Sequence, residues 1–141
     1  MAKDDLRQPE VVLDASALLA HIDDEPGAEA VREAMVSGAA ISVVNWIEVL
    51  SKLAERGEDP DLVSAEITAT ALVKTAVTVE PVAPEDAIEA ARLRPGTKAH
   101  GLSLADRSCI ALATRLEVPV LTADRAWANF PEARVVVKLI R

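Results

Sequence analysis

The chain has 141 residues, half of them hydrophobic and 2% of them aromatic, and carries a formal net charge of −8 at pH 7. This length supports one compact domain with its own core, and this apolar content excludes an intrinsically disordered chain. The acidic balance argues against a sequence-independent nucleic-acid binder with a basic face, but it permits acidic side chains that cluster and hold metal ions. Tyrosine is absent, so a surface that stacks nucleic-acid bases is not expected.

Short, β-branched apolar runs alternate with helical patterns along the chain. In chain order, the predicted elements are strand Glu10–Asp14, helices Ala15–Asp23 and Gly27–Val36, strand Ala40–Val44, helices Asn45–Arg56 and Asp61–Lys74, strand Thr78–Val82, helices Pro84–Arg94 and Ser103–Leu116, and strands Val118–Thr122 and Arg134–Lys138. Between the last two helices, a loop at Pro95–Leu102 is expected to be the most flexible segment. This alternation predicts an α/β three-layer sandwich, with a central, mainly parallel five-stranded sheet flanked by helices.

The sequence predicts a single domain over residues 1–141 and a cytoplasmic location. No apolar run approaches the roughly 18–20 residues that span a membrane, and the first ten residues, MAKDDLRQPE, lack the apolar centre of a signal peptide. Cys109 is the single cysteine, so neither an internal disulfide nor a thiolate zinc site is expected. Its place on the apolar stripe of its helix predicts a small core residue.

Four acidic residues fall where predicted strands give way to helices. Asp14 ends the first strand, Glu48 follows the second in the segment NWIE, and Asp124 follows the fourth in LTAD. Asp106 lies in the first turn of a late helix, in the segment SLAD. Open parallel sheets bind ligands beyond the carboxyl ends of their strands. We therefore expect three of these acids to share one sheet edge, with Asp106 facing it from its helix.

Each acid taken alone also has a structural explanation. Asp14 can cap the helix that follows it, and Asp124 can favour a helix dipole in a short turn. NWIE and SLAD both have the spacing of a capping box, in which the fourth residue bonds back to the cap. Glu48 points away from the centre of its helix's apolar stripe, as an ordinary solvated charge does. That stripe is predicted to contain Trp46, Ile47, Leu50, Leu53 and Ala54.

Taken together, the four acids favour metal chemistry over capping. Carboxylates that converge repel one another and raise at least one pKa, and divalent cations relieve this repulsion. Hard carboxylate oxygens suit Mg²⁺ or Mn²⁺, which polarise a phosphoryl oxygen and lower the pKa of a bound water for in-line attack. Ser16 and Thr122 place hydroxyls two residues from Asp14 and Asp124. These hydroxyls can orient a carboxylate or cap a local helix start.

Three segments of the chain resemble the PIN-domain ribonucleases, and most of all the VapC-like toxins of type II toxin–antitoxin pairs. These segments are VLDASALL (Val12–Leu19), SVVNWIEVL (Ser42–Leu50) and LSLADRSCIALATRLEVPVLTADRAWANF (Leu102–Phe130). The acids of the family's pattern match, in order, Asp14, Glu48, Asp106 and Asp124, with Ser16 and Thr122 as accessory matches. All four acids are present, so the site shows no sign of degeneration.

This resemblance implies a Mg²⁺- or Mn²⁺-dependent endoribonuclease that hydrolyses RNA phosphodiester bonds as the toxin of such a pair. It implies that Asp14, Glu48 and Asp106 lead the metal shell, with Asp124 binding directly or through water. It also implies a small cognate antitoxin as a partner, and a homodimer.

Basic residues near these acids are candidates for contacts with RNA phosphates. Lys98 lies in the predicted loop, Arg107 directly follows Asp106, and Arg125 directly follows Asp124. An acidic protein that cuts RNA needs such local contacts. A solvated segment at a helix end explains Lys98 equally well, and ion pairs with neighbouring acids are an alternative for the two arginines.

Three other functions are weighed against this one. A strand that ends on Asp also occurs in haloacid-dehalogenase-like phosphatases, but their chemistry needs a second acid where this chain has Ser16. A PIN-fold nuclease that serves RNA maturation shares every motif above. A non-catalytic interaction module on the same fold would use apolar helices such as Asp61–Lys74 as its interface.

Overall fold

The computed structural model describes residues 8–69, 77–129 and 134–141. The strands in this part of the chain are β1 Val11–Leu13, β2 Ala39–Ser42, β3 Val77–Glu80, β4 Val120–Thr122 and β5 Val137–Leu139. The α-helices are α1 Ala15–Ile22, α2 Ala28–Ser37, α3 Val43–Glu55, α4 Pro60–Ala69, α5 Pro84–Thr97 and α6 Leu104–Leu116. Short 3₁₀ helices span Lys98–His100 and Arg125–Asn129. None of the helices in these ranges is long and apolar enough to cross a membrane.

The five strands form one parallel sheet in the order β3-β2-β1-β4-β5. Strand β1 lies at its centre, where Val12 pairs with Ala40 of β2 on one side and with Val120 of β4 on the other. The chain first builds the β2 side of the sheet and then crosses to the β4 side. The crevice between β1 and β4 is therefore the point at which such a sheet offers a ligand site.

Two apolar cores cover the two faces of the sheet. Because side chains alternate along a strand, Leu13 joins the core formed with α1 to α4, whereas Val12 joins the core formed with α5 and α6. Burying an aliphatic side chain of this kind contributes about 1.5–3 kcal/mol. Cys109 is buried in the second core, as predicted. The predicted three-layer α/β sandwich is thus confirmed.

The second strand ends earlier than predicted. The Ser42 hydroxyl accepts a hydrogen bond from the backbone N–H of Val44 at 3.3 Å and caps α3. Helix α3 therefore begins at Val43 rather than at Asn45, and the predicted capping box in NWIE is wrong. Glu48 consequently lies in the second turn of the helix.

The buried face of α3 also differs from the prediction. Trp46 and Leu53 are buried as predicted. The prediction is wrong for Ile47, which is 56% exposed, and for Ala54, which is also exposed. The buried stripe of this helix is Asn45, Trp46, Val49 and Leu53.

The predicted loop at Pro95–Leu102 is largely helical. Helix α5 continues through Pro95 to Thr97, and the next three residues form a 3₁₀ helix. Proline at this position removes only one backbone donor, and burial of Thr97 favours the extension, since its hydroxyl donates to the Leu93 carbonyl at 2.8 Å. The other predicted elements are confirmed, with boundaries moved by three residues or fewer. The predicted end of the fourth helix, residues 70–74, lies outside the described residues.

Candidate active site

Asp14 lies at the crevice between β1 and β4 and is only 4% exposed. It directly follows β1 and caps α1, because its Oδ1 accepts a hydrogen bond from the Ala17 backbone N–H at 2.8 Å. The Ser16 hydroxyl donates to the same oxygen at 2.7 Å, and the Thr122 hydroxyl donates to the other oxygen, Oδ2. The capping interpretation is thus confirmed, and it coexists with a carboxylate fixed at the predicted sheet edge.

Two hydroxyls join the start of α1 to the end of β4. Thr122 is fully buried, and its oxygen accepts a hydrogen bond from the Asp124 backbone N–H at 3.0 Å. The Ser16 oxygen accepts one from the Ala123 backbone N–H at 2.9 Å, and it lies 3.4 Å from the Thr122 oxygen. Since both hydroxyls also donate to Asp14, they orient its carboxylate across the crevice. The structure therefore brings both predicted accessory residues to Asp14.

Burial raises the pKa of Asp14 above its ordinary value of 3.8. The hydrogen bonds from Thr122, Ala17 and Ser16 oppose this rise by stabilising the charged form, and repulsion from Asp106 adds to the rise. A carboxyl group in this position carries its charge at a cost, which a nearby cation would reduce.

Asp106 occupies the first turn of α6 and closes a capping box. Its Oδ2 accepts from the Ser103 backbone N–H at 2.9 Å, while its own N–H donates to the Ser103 hydroxyl at 3.1 Å. This confirms the capping box predicted in SLAD. Burial raises the pKa of Asp106, the two bonds with Ser103 oppose the rise, and repulsion from Asp124 adds to it.

Glu48 faces the same group of acids from α3, a helix that contacts α6. Partial desolvation raises its pKa, and repulsion from Asp106 and then from Asp14 raises it further. The Asn45 amide, whose Nδ2 lies 3.4 Å from Glu48 Oε1, opposes the rise. Glu48 is therefore part of one electrostatically coupled set and is not an isolated surface charge.

Asp124 lies at the exposed rim of this set. Its Oδ1 accepts a hydrogen bond from the Ala126 backbone N–H at 2.9 Å, so it caps the 3₁₀ helix that begins at Arg125. It is linked to the other acids by its repulsion of Asp106 and by its backbone bond to Thr122. Asp124 therefore caps the 3₁₀ helix and also lies beside the other acids.

These acids match a hard divalent cation in chemical type. Their donor atoms are carboxylate oxygens, and three of them have a raised pKa to which mutual repulsion contributes. Over residues 8–69, 77–129 and 134–141, no three His, Cys, Asp or Glu side chains meet closely enough to form a complete ligand set. The oxygens of Asp14 and Asp106 are directed at hydroxyl and backbone donors instead.

A family model of the PIN domain matches residues 11–133. The chain belongs to the PIN domain family. A search of curated proteins finds no significant match.

Solved structures similar to this PIN domain include proteins of toxin–antitoxin systems. A toxin–antitoxin complex from Klebsiella pneumoniae is 19% identical, with a TM-score of 0.65, over 93% of this chain and 98% of that one. A DNA-bound VapBC from Salmonella typhimurium is 15% identical, with a TM-score of 0.67, over 94% and 98%. VapBC-5 from Mycobacterium tuberculosis is 25% identical, with a TM-score of 0.52, over 94% and 99%. The family match and these structural similarities agree on the PIN fold.

The basic residues predicted to bind RNA lie in different surroundings in this PIN domain. Lys98 is exposed on the 3₁₀ helix after α5, and Arg125 is exposed directly after Asp124. Arg107 is instead engaged by α5, because its guanidinium donates to the Ala90 carbonyl at 2.9 Å. Lys98 and Arg125 are therefore at the surface, and both are close in sequence to one of the acids.

Asn45 is the residue of this site that the sequence did not reveal. It is 1% exposed and contacts Glu48. The signal that could have identified it is Ser42, a favourable cap residue three positions earlier, which places Asn45 inside α3 rather than at its start.

Proposed function

We propose that this PIN-domain protein is a Mg²⁺- or Mn²⁺-dependent endoribonuclease that acts as the toxin of a toxin–antitoxin pair. The observation that carries the proposal is Asp14, fixed at the β1–β4 crevice and coupled through charge repulsion to Asp106 and Glu48. The family match over residues 11–133 and the similarity to toxin–antitoxin structures support the nuclease and toxin parts of the proposal.

In this proposal Asp14, Glu48 and Asp106 would hold the cation, and Asp124 would bind it directly or through water. When bound, the cation supplies positive charge to a phosphate and lowers the pKa of an attacking water. Ser16 and Thr122 keep the Asp14 carboxylate charged and oriented, because both donate hydrogen bonds to it.

The surface cations complete the proposed RNA site. Lys98 and Arg125 are exposed and so are available to contact RNA phosphates. Arg107 contributes by holding α6 to α5 through its bond to the Ala90 carbonyl.

We further propose that an antitoxin covers this site and that the protein forms a homodimer. Two exposed apolar side chains support a covering partner: Ile47, 56% exposed, adjoins Glu48, and Leu104, 62% exposed, shares the first turn of α6 with Asp106. A partner that buries them gains apolar contact while it blocks the acids.

The deciding experiment measures RNA cleavage by the purified protein in Mn²⁺ or Mg²⁺, across tRNA, rRNA and mRNA. EDTA should abolish cleavage, and Asp14→Asn should reduce it by about a hundredfold or more, as loss of a metal ligand does. The matched control is Asp61→Asn, an exposed acid in the first turn of α4, which should keep wild-type activity. Cleavage that persists both in EDTA and in Asp14→Asn would refute the assignment to this site.

The toxin role is tested by induced expression in bacterial cells. We expect growth arrest that Asp14→Asn relieves. Harmless expression of an active enzyme would instead indicate a PIN-fold nuclease of RNA maturation, and absence of divalent-cation binding would favour a non-catalytic module.

A further inference from the structure

Of the two polar side-chain atoms of Asn45, one has a hydrogen-bond partner among the described residues and the other has none. Its side chain is buried in α3, and Nδ2 makes a long hydrogen bond of 3.4 Å to Glu48 Oε1. Its other polar atom, Oδ1, is buried and has no hydrogen-bond partner among the described residues. Buried polar atoms are usually paired, so this oxygen needs an explanation.

Helix capping does not explain Asn45. It is the third residue of α3, the position from which a capping-box side chain bonds back to the cap residue. Asp106 does this in α6 by accepting from the Ser103 backbone N–H. In α3 the cap is Ser42, and the Asn45 oxygen does not return to it. Packing alone therefore favours an apolar side chain of similar volume at this position.

The acids beside Asn45 do explain it. Its amide nitrogen contacts Glu48, whose charge is coupled to those of Asp106 and Asp14. An amide oxygen is a hard, uncharged oxygen. It can bind a divalent cation directly or accept a hydrogen bond from a water molecule of the cation's hydration shell. A fourth close carboxylate at this position would instead increase the repulsion among the acids.

We infer that Asn45 is a positioning residue of the acidic site, which holds Glu48 in place through Nδ2 and offers Oδ1 as an acceptor to a hydrated divalent cation. This inference rests on the proposed metal-dependent function. It extends the site by one neutral residue beyond the four acids.

The test compares Mn²⁺ binding and thermal stability in Asn45→Leu. Titration calorimetry with Mn²⁺ should show binding weakened about tenfold or more, as is typical when an outer-shell partner of a metal site is lost. Thermal unfolding in EDTA should give a Tm equal to or above that of the wild type, because an unpaired buried oxygen is removed.

The matched control is Thr97→Val. Thr97 is fully buried at the end of α5, and its hydroxyl has hydrogen-bond partners, so valine removes satisfied bonds instead of an unpaired oxygen. It should lower the Tm and leave the Mn²⁺ affinity within about twofold of the wild type.

The outcomes separate this inference from the proposed function. If the wild type binds Mn²⁺ and Asn45→Leu binds it equally well, the inference is overturned and the proposed function stands. If the wild type binds no Mn²⁺, both are overturned. If Asn45→Leu does not fold, Asn45→Ala is measured in the same way, and unchanged Mn²⁺ affinity in that variant overturns the inference.

Discussion

The Thr122 hydroxyl donates a hydrogen bond to Asp14 Oδ2 across the crevice between β4 and β1. The same hydroxyl oxygen accepts from the Asp124 backbone N–H. Thr122 therefore supports two of the four acids at once, although it carries no charge.

Thr122→Val should remove the hydrogen bonds that Thr122 makes to Asp14 and Asp124, while the volume of the side chain stays nearly the same. The lost hydrogen bond normally lowers the pKa of Asp14, so this pKa should rise in the variant. A larger fraction of Asp14 is then protonated at low pH, and cleavage at pH 6 should fall more than cleavage at pH 8. The loss of the Thr122 bonds to Asp14 Oδ2 and to the Asp124 N–H should also cost about 1–3 kcal/mol in the free energy of unfolding.

The pH profile of metal-dependent RNA cleavage checks this prediction. Thr114→Val is a suitable control, because it removes a hydroxyl that donates to the Ile110 carbonyl within α6. An unchanged pH profile in Thr122→Val would show that Asp14 does not depend on this bond.

Mn²⁺ should stabilise the folded protein. A ligand that binds only the native state adds about 2.7 kcal/mol to the free energy of unfolding at a hundred times its dissociation constant. We expect Mn²⁺ to raise the Tm of the wild type and of Asp61→Asn, and EDTA to reverse the rise. Asp14→Asn should show little response, because it lacks the buried carboxylate. Equal responses in all three proteins would place the bound Mn²⁺ elsewhere.

His21 should make stability depend on pH near neutrality. Its Nδ1 accepts a hydrogen bond from Arg32 Nε at 3.2 Å, which requires the neutral ring. Burial and then repulsion from Arg32 lower its pKa below 6.5, while the charge of Asp24 opposes the shift. The folded state thus binds fewer protons than the unfolded state, so this stability is present above pH 6.5 and is lost as the pH falls through the lowered pKa.

Urea unfolding at pH 7.5 and pH 5.5 measures the effect. His21→Asn keeps an acceptor for Arg32 but does not titrate, so it should lose less stability on acidification than the wild type. The difference should stay below about 1 kcal/mol, because the ring is only partly buried and solvent screens its charge. Equal losses in the two proteins would count against this role.

The ion pair between Asp86 and Arg115 should contribute more to the free energy of unfolding than the surface ion pairs do. The Arg115 guanidinium donates to both oxygens of the buried Asp86, at 2.8 and 3.1 Å, and so joins α6 to α5. Asp86→Ala leaves Arg115 and the Ala83 N–H without their acceptor. We expect a loss of about 2–3 kcal/mol, somewhat below the usual cost of breaking a buried pair because Arg115 reaches water.

Urea unfolding compares this variant with Glu29→Ala, which removes an exposed partner of Arg32. That control should cost less than about 1 kcal/mol. If both variants lose the same amount, the buried pair contributes no more than a surface one.

Local rules in the sequence were sufficient for the caps at Asp14 and Ser103 and for the order of strands and helices. They failed at the start of α3, because Val43 and Val44 continue the β-branched pattern of β2 while Ser42 caps the helix. This error concealed the burial of Asn45, because the residue was placed at the start of the helix in a capping position and not inside it.

Tertiary contacts decided the remaining features. The hydrogen bond between Thr122 and Asp14 requires β1 and β4 to be neighbours in the sheet. No local segment of the sequence determines which strands are neighbours. The extension of α5 through Pro95 likewise depends on the burial of Thr97 in the folded protein.

The bond between Asp14 and Thr122 spans 108 positions of the chain. During synthesis, β1 is made more than a hundred residues before β4, the strand that completes its crevice. A ribosome must therefore synthesise this whole span before the Asp14 carboxylate is held in place. A fragment that ends between residues 107 and 119 contains Asp14, Glu48 and Asp106 but lacks β4, and therefore lacks the crevice that holds Asp14.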